Sequence, residues 1–229
     1  MLSDRRVFSP ARDSSRSGLT RAEVLVFTAI TLILAVALSG PIRDHFAQAR
    51  INRAVESART INTLLAQYAT DNNGAYPVGE DTTVAGKSEG IALNLLQNSY
   101  TPDASIFAVG STVPYRGKAS DYSDIAAANI SWDFTAGATA TTGLTQAAPD
   151  LLPTVYGTGE TVLYPTTPGT GLDLPLTGHG PFGMKGIVVA YKGNNAVFIQ
   201  GTPSGTTVEC RGFISKDFRV PGPYTQIRP

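Results

Sequence analysis

The chain has 229 residues, of which 42% are hydrophobic and 16% are charged, and its formal net charge is zero. This length fits one medium domain plus a further segment and excludes a series of globular domains. Residues 1–70 carry nine Lys and Arg against five Asp and Glu, whereas residues 71–229 carry nine against thirteen. A nucleic-acid-binding protein would show a basic patch on its folded domain, so no nucleic acid partner is expected. Cys210 is the only cysteine, which excludes an intramolecular disulfide.

The first segment, residues 1–18, is predicted to be a basic leader peptide. Its four arginines outnumber its two aspartates, and it shows no apolar periodicity. A segment of this composition is expected to be unfolded in the precursor. Its arginines are expected to hold it on the cytoplasmic side of a membrane, with the remainder of the chain outside.

The second segment, residues 19–42, is predicted to be the first half of a long helix and to span a membrane. No charged residue lies between Glu23 and Arg43. At about 1.5 Å per residue, a helix of this length crosses a hydrocarbon core of about 30 Å. The lone carboxylate of Glu23 stands at the start of the apolar run, and Gly40-Pro41 stands at its end.

The third segment, residues 43–73, is predicted to continue the helix as an amphipathic half. Its apolar residues recur at spacings of three and four, which is typical of a helix with one buried face. They are Ile51, Ala54, Val55, Ala58, Ile61, Leu65 and Tyr68. The Asp-Asn-Asn-Gly sequence at 71–74 predicts the end of the helix, because Asn and Gly suit the left-handed residue found there.

These N-terminal motifs resemble those of type IV prepilins and of the pseudopilins of type II secretion. In that family a short basic leader ends in Gly, a hydrophobic residue follows, and Glu occupies the fifth mature position. The apolar run then commonly has a proline near its end. Gly18, Leu19, Glu23 and Pro41 match this pattern, the proline within one position. The sequence Y-A-T-D-N-N-G-A-Y-P at 68–77 also resembles the end of the long helix in major pseudopilins.

The resemblance implies a fold, a processing site and an assembly role. The fold is α+β, with the long helix packed on a head, residues 74–229, that contains a C-terminal antiparallel sheet. A prepilin peptidase would cut between Gly18 and Leu19, and the new N-terminus at Leu19 would be methylated. Glu23 would act in filament assembly. The expected partners are the chain itself, related pilins, the peptidase, an inner-membrane assembly platform and membrane lipid.

Glu23 also attracts attention on physical grounds. A carboxylate in an apolar span is costly and needs a partner, and in a filament of parallel helices the nearest cation is the amine of Leu19. The alternative is a solvated carboxylate at the headgroup boundary, paired with Arg21. Gly40-Pro41 removes a hydrogen bond and adds backbone freedom. It is predicted to be a weak point of the helix, and a fixed kink or the membrane exit is the alternative.

In the head, the C-terminal part gives the clearest pattern. Residues 186–192 and 196–200 are β-rich and flank Gly193-Asn194-Asn195, which predicts a hairpin. Residues 207–214 are predicted to add a third strand. The resulting sheet, residues 186–214, is predicted to cover the apolar stripe of the helix.

Earlier in the head the patterns are weaker. A short helix is predicted over 90–98, a helical turn over 121–128, and strands over 130–134 and 161–164. The remainder of 135–181 is rich in Gly, Thr and Pro and is predicted to be mostly loop.

No enzymatic activity is predicted. The chain contains two histidines, His45 and His179, and the single thiol of Cys210. The sequence leaves open a Cys-His nucleophile pair, and a small buried structural thiol is the alternative for Cys210. No zinc-binding spacing, phosphate-binding loop or dinucleotide fingerprint occurs, so no cofactor and no metal are expected.

Three hypotheses about function follow. The first is a structural subunit of a type IV pilus-like filament or a type II secretion pseudopilus, placed in the inner membrane as a precursor and then in a periplasmic or extracellular filament. The second is a secreted or anchored binding domain whose signal peptide is cut near Ser39-Gly40, after the small residues of Ala37-Leu38-Ser39. The third is a membrane-tethered enzyme.

Overall fold

A computed structural model of the chain describes residues 20–79, 84–117, 122–157, 159–218 and 222–229, and over residues 35–44 it describes the backbone alone. The predicted processing residues Gly18 and Leu19 therefore lie outside the described residues. The chain divides into two compact units, Met1–Phe46 and Ala47–Pro229.

Helix α1 runs from Arg21 to Asp71 over 51 residues and contributes to both units. It ends where the sequence predicts. Asn73 and Gly74 adopt positive φ angles of 54° and 83°, and the amide of Gly74 donates to the carbonyl oxygen of Ala69 at 2.7 Å. This left-handed exit accounts for the Asn-Gly sequence at that point.

The predicted membrane-spanning half is contradicted. In the part of the chain that the structure describes, no helix is both long and apolar enough to cross a membrane. This finding stands against the predicted span at 19–42, the predicted inner-membrane localisation, and the description as a membrane-inserted pilin that depended on them.

The second unit contains the remaining elements. Helix α2 is Ser88–Gln97, and short 3-10 helices occur at Ala104–Phe107, Ala127–Asn129 and Gly183–Lys185. The strands are β1 Asp133–Ala136, β2 Pro153–Tyr156, β3 Leu172–Leu176, β4 Gly186–Tyr191, β5 Asn195–Gln200, β6 Thr202–Ser204, β7 Thr207–Ile214 and β8 Thr225–Ile227.

The strands form two antiparallel sheets, not the single sheet that the sequence predicts. The first has the order β5-β4-β2-β1-β8, and the second has the order β3-β7-β6. The β4–β5 hairpin is confirmed, with Gly186 opposite Gln200 and Tyr191 opposite Asn195. Strand β7 has the predicted bounds but pairs with β3 and β6. The predicted fold class, a spanning helix on one C-terminal sheet, is therefore wrong.

The chain changes sheets at Gly201, between β5 and β6. Its amide donates to the carbonyl oxygen of Lys185 at 2.8 Å. A Cβ at this position would come within 2.5 Å of the carbonyl oxygen of Met184. Only glycine allows so close a backbone approach, so the residue fixes the point at which the second sheet begins.

Between 121 and 181 the structure differs from the sequence prediction. The strand predicted over 130–134 begins at Asp133, and the turn predicted over 121–128 is the 3-10 helix at Ala127–Asn129. Residues 161–164 form no strand. Strands β2 and β3 lie within the stretch predicted to be mostly loop.

The part of α1 in the second unit packs on the first sheet. Its predicted stripe is buried at Ala54, Ala58, Ile61 and Leu65, and half-buried at Ile51 and Val55. Asn62 links helix and sheet, since its Nδ2 donates to the carbonyl oxygen of Tyr191 at 3.0 Å and its Oδ1 accepts from Thr154 at 2.6 Å.

The two sheets also share a core. The ring of Tyr156 on β2 meets the ring of Phe213 on β7 edge-on at 5.3 Å between centroids. The hydroxyl of Tyr191 on β4 donates to the carbonyl oxygen of Phe213 at 3.0 Å.

Candidate functional site

The N-terminus of α1 is capped by Thr20 and Glu23, which hydrogen-bond to each other in both directions. The amide and the hydroxyl of Thr20 donate to Oε2 of Glu23 at 2.7 and 2.9 Å, and the amide of Glu23 donates back to the Thr20 hydroxyl at 3.3 Å. This is the capping box of a helix N-terminus, in which Thr at the cap and Glu three residues later satisfy two free amides. Its signal in the sequence is T-x-x-E at 20–23, to which the predicted membrane span assigns no role.

The capping box accounts for a lowered pKa of the Glu23 carboxyl. The backbone hydrogen bond from Thr20, followed by the bond from its hydroxyl, lowers the pKa of the Glu23 carboxyl below its ordinary value. The positive end of the helix dipole also favours a negative charge there. Within the described residues both bonds use Oε2, so Oε1 has no partner there. Neither ion pair of those residues involves Glu23 or Arg21.

After Glu23 the helix exposes large apolar side chains on every side. We name residues 24–34 the apolar segment. Its eight exposed large hydrophobic residues, from 49% exposed at Val24 to 73% at Phe27, are Val24, Leu25, Val26, Phe27, Ile30, Leu32, Ile33 and Leu34. Thr28 and Thr31 donate their hydroxyls to the carbonyl oxygens of Val24 and Phe27, at 2.7 and 2.8 Å. The segment thus presents little unsatisfied polarity beside its apolar surface.

The apolar surface of this segment is of the kind that proteins normally bury against another surface. Val24 to Phe27 are four consecutive exposed residues, and at 3.6 residues per turn they point in all directions around the axis. A helix that is apolar all round is normally buried, and a large exposed apolar patch marks an interaction surface. The apolar segment and Glu23 are therefore the candidate functional site.

The other predicted site residues are less informative. Gly18 and Leu19 lie outside the described residues, so pairing of Glu23 with the amine of Leu19 stays a prediction. Gly40 and Pro41 lie inside α1, whose backbone is helical through both. The predicted weak point there likewise stays a prediction.

Cys210 and His179 each have a separate partner. Cys210 is buried on β7, where its Sγ donates to the carbonyl oxygen of Ile199 at 3.4 Å, and burial raises the pKa of its thiol to about 11. His179 is exposed, with Nδ1 at 2.7 Å from the hydroxyl of Thr177. Within the described residues, no group of three or more His, Cys, Asp or Glu side chains could hold a metal ion.

A cleft of about 530 Å³ lies where β1 begins and β2 and β8 end, and Asp133, His179 and Arg228 are among its lining residues. The guanidinium of Arg228 donates to the carbonyl oxygen of Gly159 at 2.8 Å and to the hydroxyl of Thr161 at 3.3 Å. These bonds fix the loops at this end of the first sheet.

No protein-family model, curated protein or solved structure matches the chain. The family resemblance accordingly depends on the N-terminal motifs of the sequence.

Proposed function

We propose that the chain is the structural subunit of a filament, of the type IV pilus or type II secretion pseudopilus kind, and that it assembles through its apolar segment. The observation that carries this proposal is the exposure of eight large hydrophobic side chains at the start of α1. A structural role fits this surface because it offers apolar area for association.

The free energy gained by burying the apolar segment is of the size that association requires. Complete burial of a large apolar side chain is worth about 1.5–3 kcal/mol. Because the eight side chains are already partly covered, their further burial yields on the order of 10 kcal/mol. This gain is comparable with the cost of association, about 4–15 kcal/mol. Contacts with more than one neighbour, as in a filament, would add to it.

Processing belongs to the same proposal. A prepilin peptidase cuts after Gly18 and leaves Leu19 as a methylated N-terminus, directly before Thr20 of the capping box. The amine of Leu19, on the same or a neighbouring copy, then pairs with Glu23. The partners are further copies of the chain, related pilins and the assembly platform of such a system.

The test compares two serine variants of the full chain, co-expressed with a prepilin peptidase. Leu25 in the apolar segment and Leu163 in the second unit are 70% and 77% exposed. The exchanges Leu25→Ser and Leu163→Ser therefore remove equal apolar surface at two places. We expect Leu25→Ser to abolish the filaments seen by negative-stain electron microscopy and Leu163→Ser to leave them in normal number.

Two results would overturn the proposal. One is normal assembly of Leu25→Ser, and also of the double variant with Phe27→Ser. The other is a mature N-terminus at Gly40 in place of Leu19, which mass spectrometry of the purified chain would reveal.

A further inference from the structure

A groove of about 650 Å³ runs along α1 within the second unit. One wall is formed by helix residues and the other by residues 103–114. The lining residues are Arg50, Arg53, Glu56, Ser57 and Thr60 on α1, and Asp103, Ser105, Ile106, Ala108, Val109, Gly110, Thr112 and Pro114 opposite.

The groove has the dimensions of a short helix site. From Arg50 to Thr60 it follows α1 for ten residues, about 15 Å or nearly three helical turns. Its walls offer small side chains at Ser57, Ala108 and Gly110, which permit a close approach. Gly110 has a φ of +67°, and a Cβ there would come within 2.5 Å of the carbonyl oxygen of Pro181. A larger residue is thus excluded at this point of the wall.

One end of the groove carries unpaired positive charge. The ion pairs of the described side chains are Arg59–Glu56 at 3.3 Å and Lys192–Asp150 at 3.1 Å. Arg50 and Arg53 therefore form none within that part of the chain. Asp103, on the opposite wall, is engaged as the cap of a 3-10 helix, with its carboxylate accepting from the amide of Ser105 at 2.8 Å.

The apolar segment carries the complementary charge at its start. Glu23 is exposed, and its Oε1 has no partner within the described residues. The capping box is made through Oε2, so an ion pair through Oε1 leaves it intact.

We propose that the groove binds the apolar segment of a second copy of this chain, with Glu23 of that copy paired to Arg53. This inference rests on the proposed function and names the surface that the assembling helix contacts. With Glu23 at the Arg53 end and Leu34 towards Thr60, the two helices run parallel. The contact joins two different surfaces, so it is heterologous and can repeat along an open filament.

The first test is a charge exchange in the full chain. Glu23→Gln keeps the capping box, since Gln also serves at that position, but removes the charge. We expect Glu23→Gln and Arg53→Glu each to lower the amount of sedimentable polymer roughly tenfold, as for a lost or reversed charge pair at an interface. The combination of Glu23→Arg with Arg53→Glu should restore part of the assembly that Arg53→Glu alone loses, which the amine of Leu19 as sole partner of Glu23 would not allow.

Arg211→Glu is the matched control, because Arg211 is an exposed arginine on β7 that forms no ion pair within the described residues and does not line the groove. It should assemble normally. The contrary set of results is normal assembly of Arg53→Glu and no rescue by the charge exchange, while Leu25→Ser still blocks assembly. That set of results would overturn the proposal about the groove and leave the proposed filament function standing. No assembly of the unaltered chain would overturn both proposals.

The second test is a cross-link between copies. Cys210 is buried, so new surface cysteines react without competition from it. One chain carries Thr31→Cys in the apolar segment, and a tagged second chain carries either Ser57→Cys in the groove or Asn52→Cys at an exposed site outside it. We expect a disulfide-linked heterodimer with Ser57→Cys and little with Asn52→Cys. Equal yields from the two would overturn the proposal.

Discussion

Leu65 lies on the buried face of α1, with 3% of its surface exposed. Truncation to alanine there removes apolar burial and leaves a cavity between helix and sheet, so Leu65→Ala should lower the free energy of unfolding by about 2–5 kcal/mol. Urea denaturation would measure the loss. Leu163→Ala, at a site 77% exposed, is the control and should stay within about 0.5 kcal/mol of the unaltered chain. Similar losses at the two sites would contradict the packing of α1.

Tyr191 connects stability to alkaline pH. Burial raises the pKa of its hydroxyl from 10.0 to about 12. The folded chain therefore holds this proton more tightly than the unfolded chain. The resulting stability is fully present below about pH 10 and is lost as the pH rises through about 12.

The variant Tyr191→Phe isolates this contribution. Its free energy of unfolding should be lower by about 1 kcal/mol at every pH, because the hydrogen bond to Phe213 is lost. It should also show a shallower decline of unfolding free energy between about pH 10 and 12. Burial also raises the pKa values of Tyr156 and Tyr164, so some decline should remain. An unchanged slope in the variant would contradict the assignment to Tyr191.

At the scale of the element, the capping box makes the start of α1 depend on pH. The hydrogen bonds from Thr20 lower the pKa of Glu23 in the folded chain, so their stabilisation is present above the unfolded value of 4.5 and is lost as the pH falls through the folded value. Amide hydrogen exchange over residues 20–25 should accelerate in that range. In Glu23→Ala these amides should exchange fast at neutral pH, whereas in Glu23→Gln they should remain protected. Equal protection in both variants would show that the box does not hold the helix start.

Elements specified by neighbouring residues could be predicted from the sequence. The β4–β5 hairpin is fixed by its Gly-Asn-Asn turn, and the end of α1 by Asn73 and Gly74. The short strands β2 and β3 could not be predicted, because their partners lie far along the chain. Strand β2 is buried throughout and so shows no alternation, and β3 contains Pro175. The second sheet was missed with β3, since β3 supplies a partner for β7.

Part of the candidate site has a signal in the sequence. Glu23 was recognised because a lone carboxylate beside an apolar run is unusual. Its partner Thr20 could not be predicted in the same way, because a membrane span gives no role to the polar residues that precede it. The groove beside Arg53 has no sequence signal, since residues 103–114 meet α1 only through the fold.

At the scale of the whole molecule, folding and assembly should separate at the boundary between the two units. All buried hydrophobic residues of the described chain, from Ala54 onwards, belong to the second unit. A chain cut to Ala47–Pro229 should therefore fold, with a thermal midpoint close to that of the full chain. Differential scanning calorimetry would compare the two. A large drop in the midpoint would show that the first unit contributes to the stability of the second.

The same fragment tests how copies join. It retains the groove with Arg53 but lacks the apolar segment, so it can accept a neighbour at one surface and offers nothing at the other. A heterologous contact cannot extend past such a copy. Added to the full chain at well below equal amounts, the fragment should shorten the filaments seen by electron microscopy. The fragment with Arg53→Glu should shorten them much less, because its groove no longer attracts Glu23. If neither fragment shortens the filaments, or if both do so equally, the groove is not the surface through which the copies join.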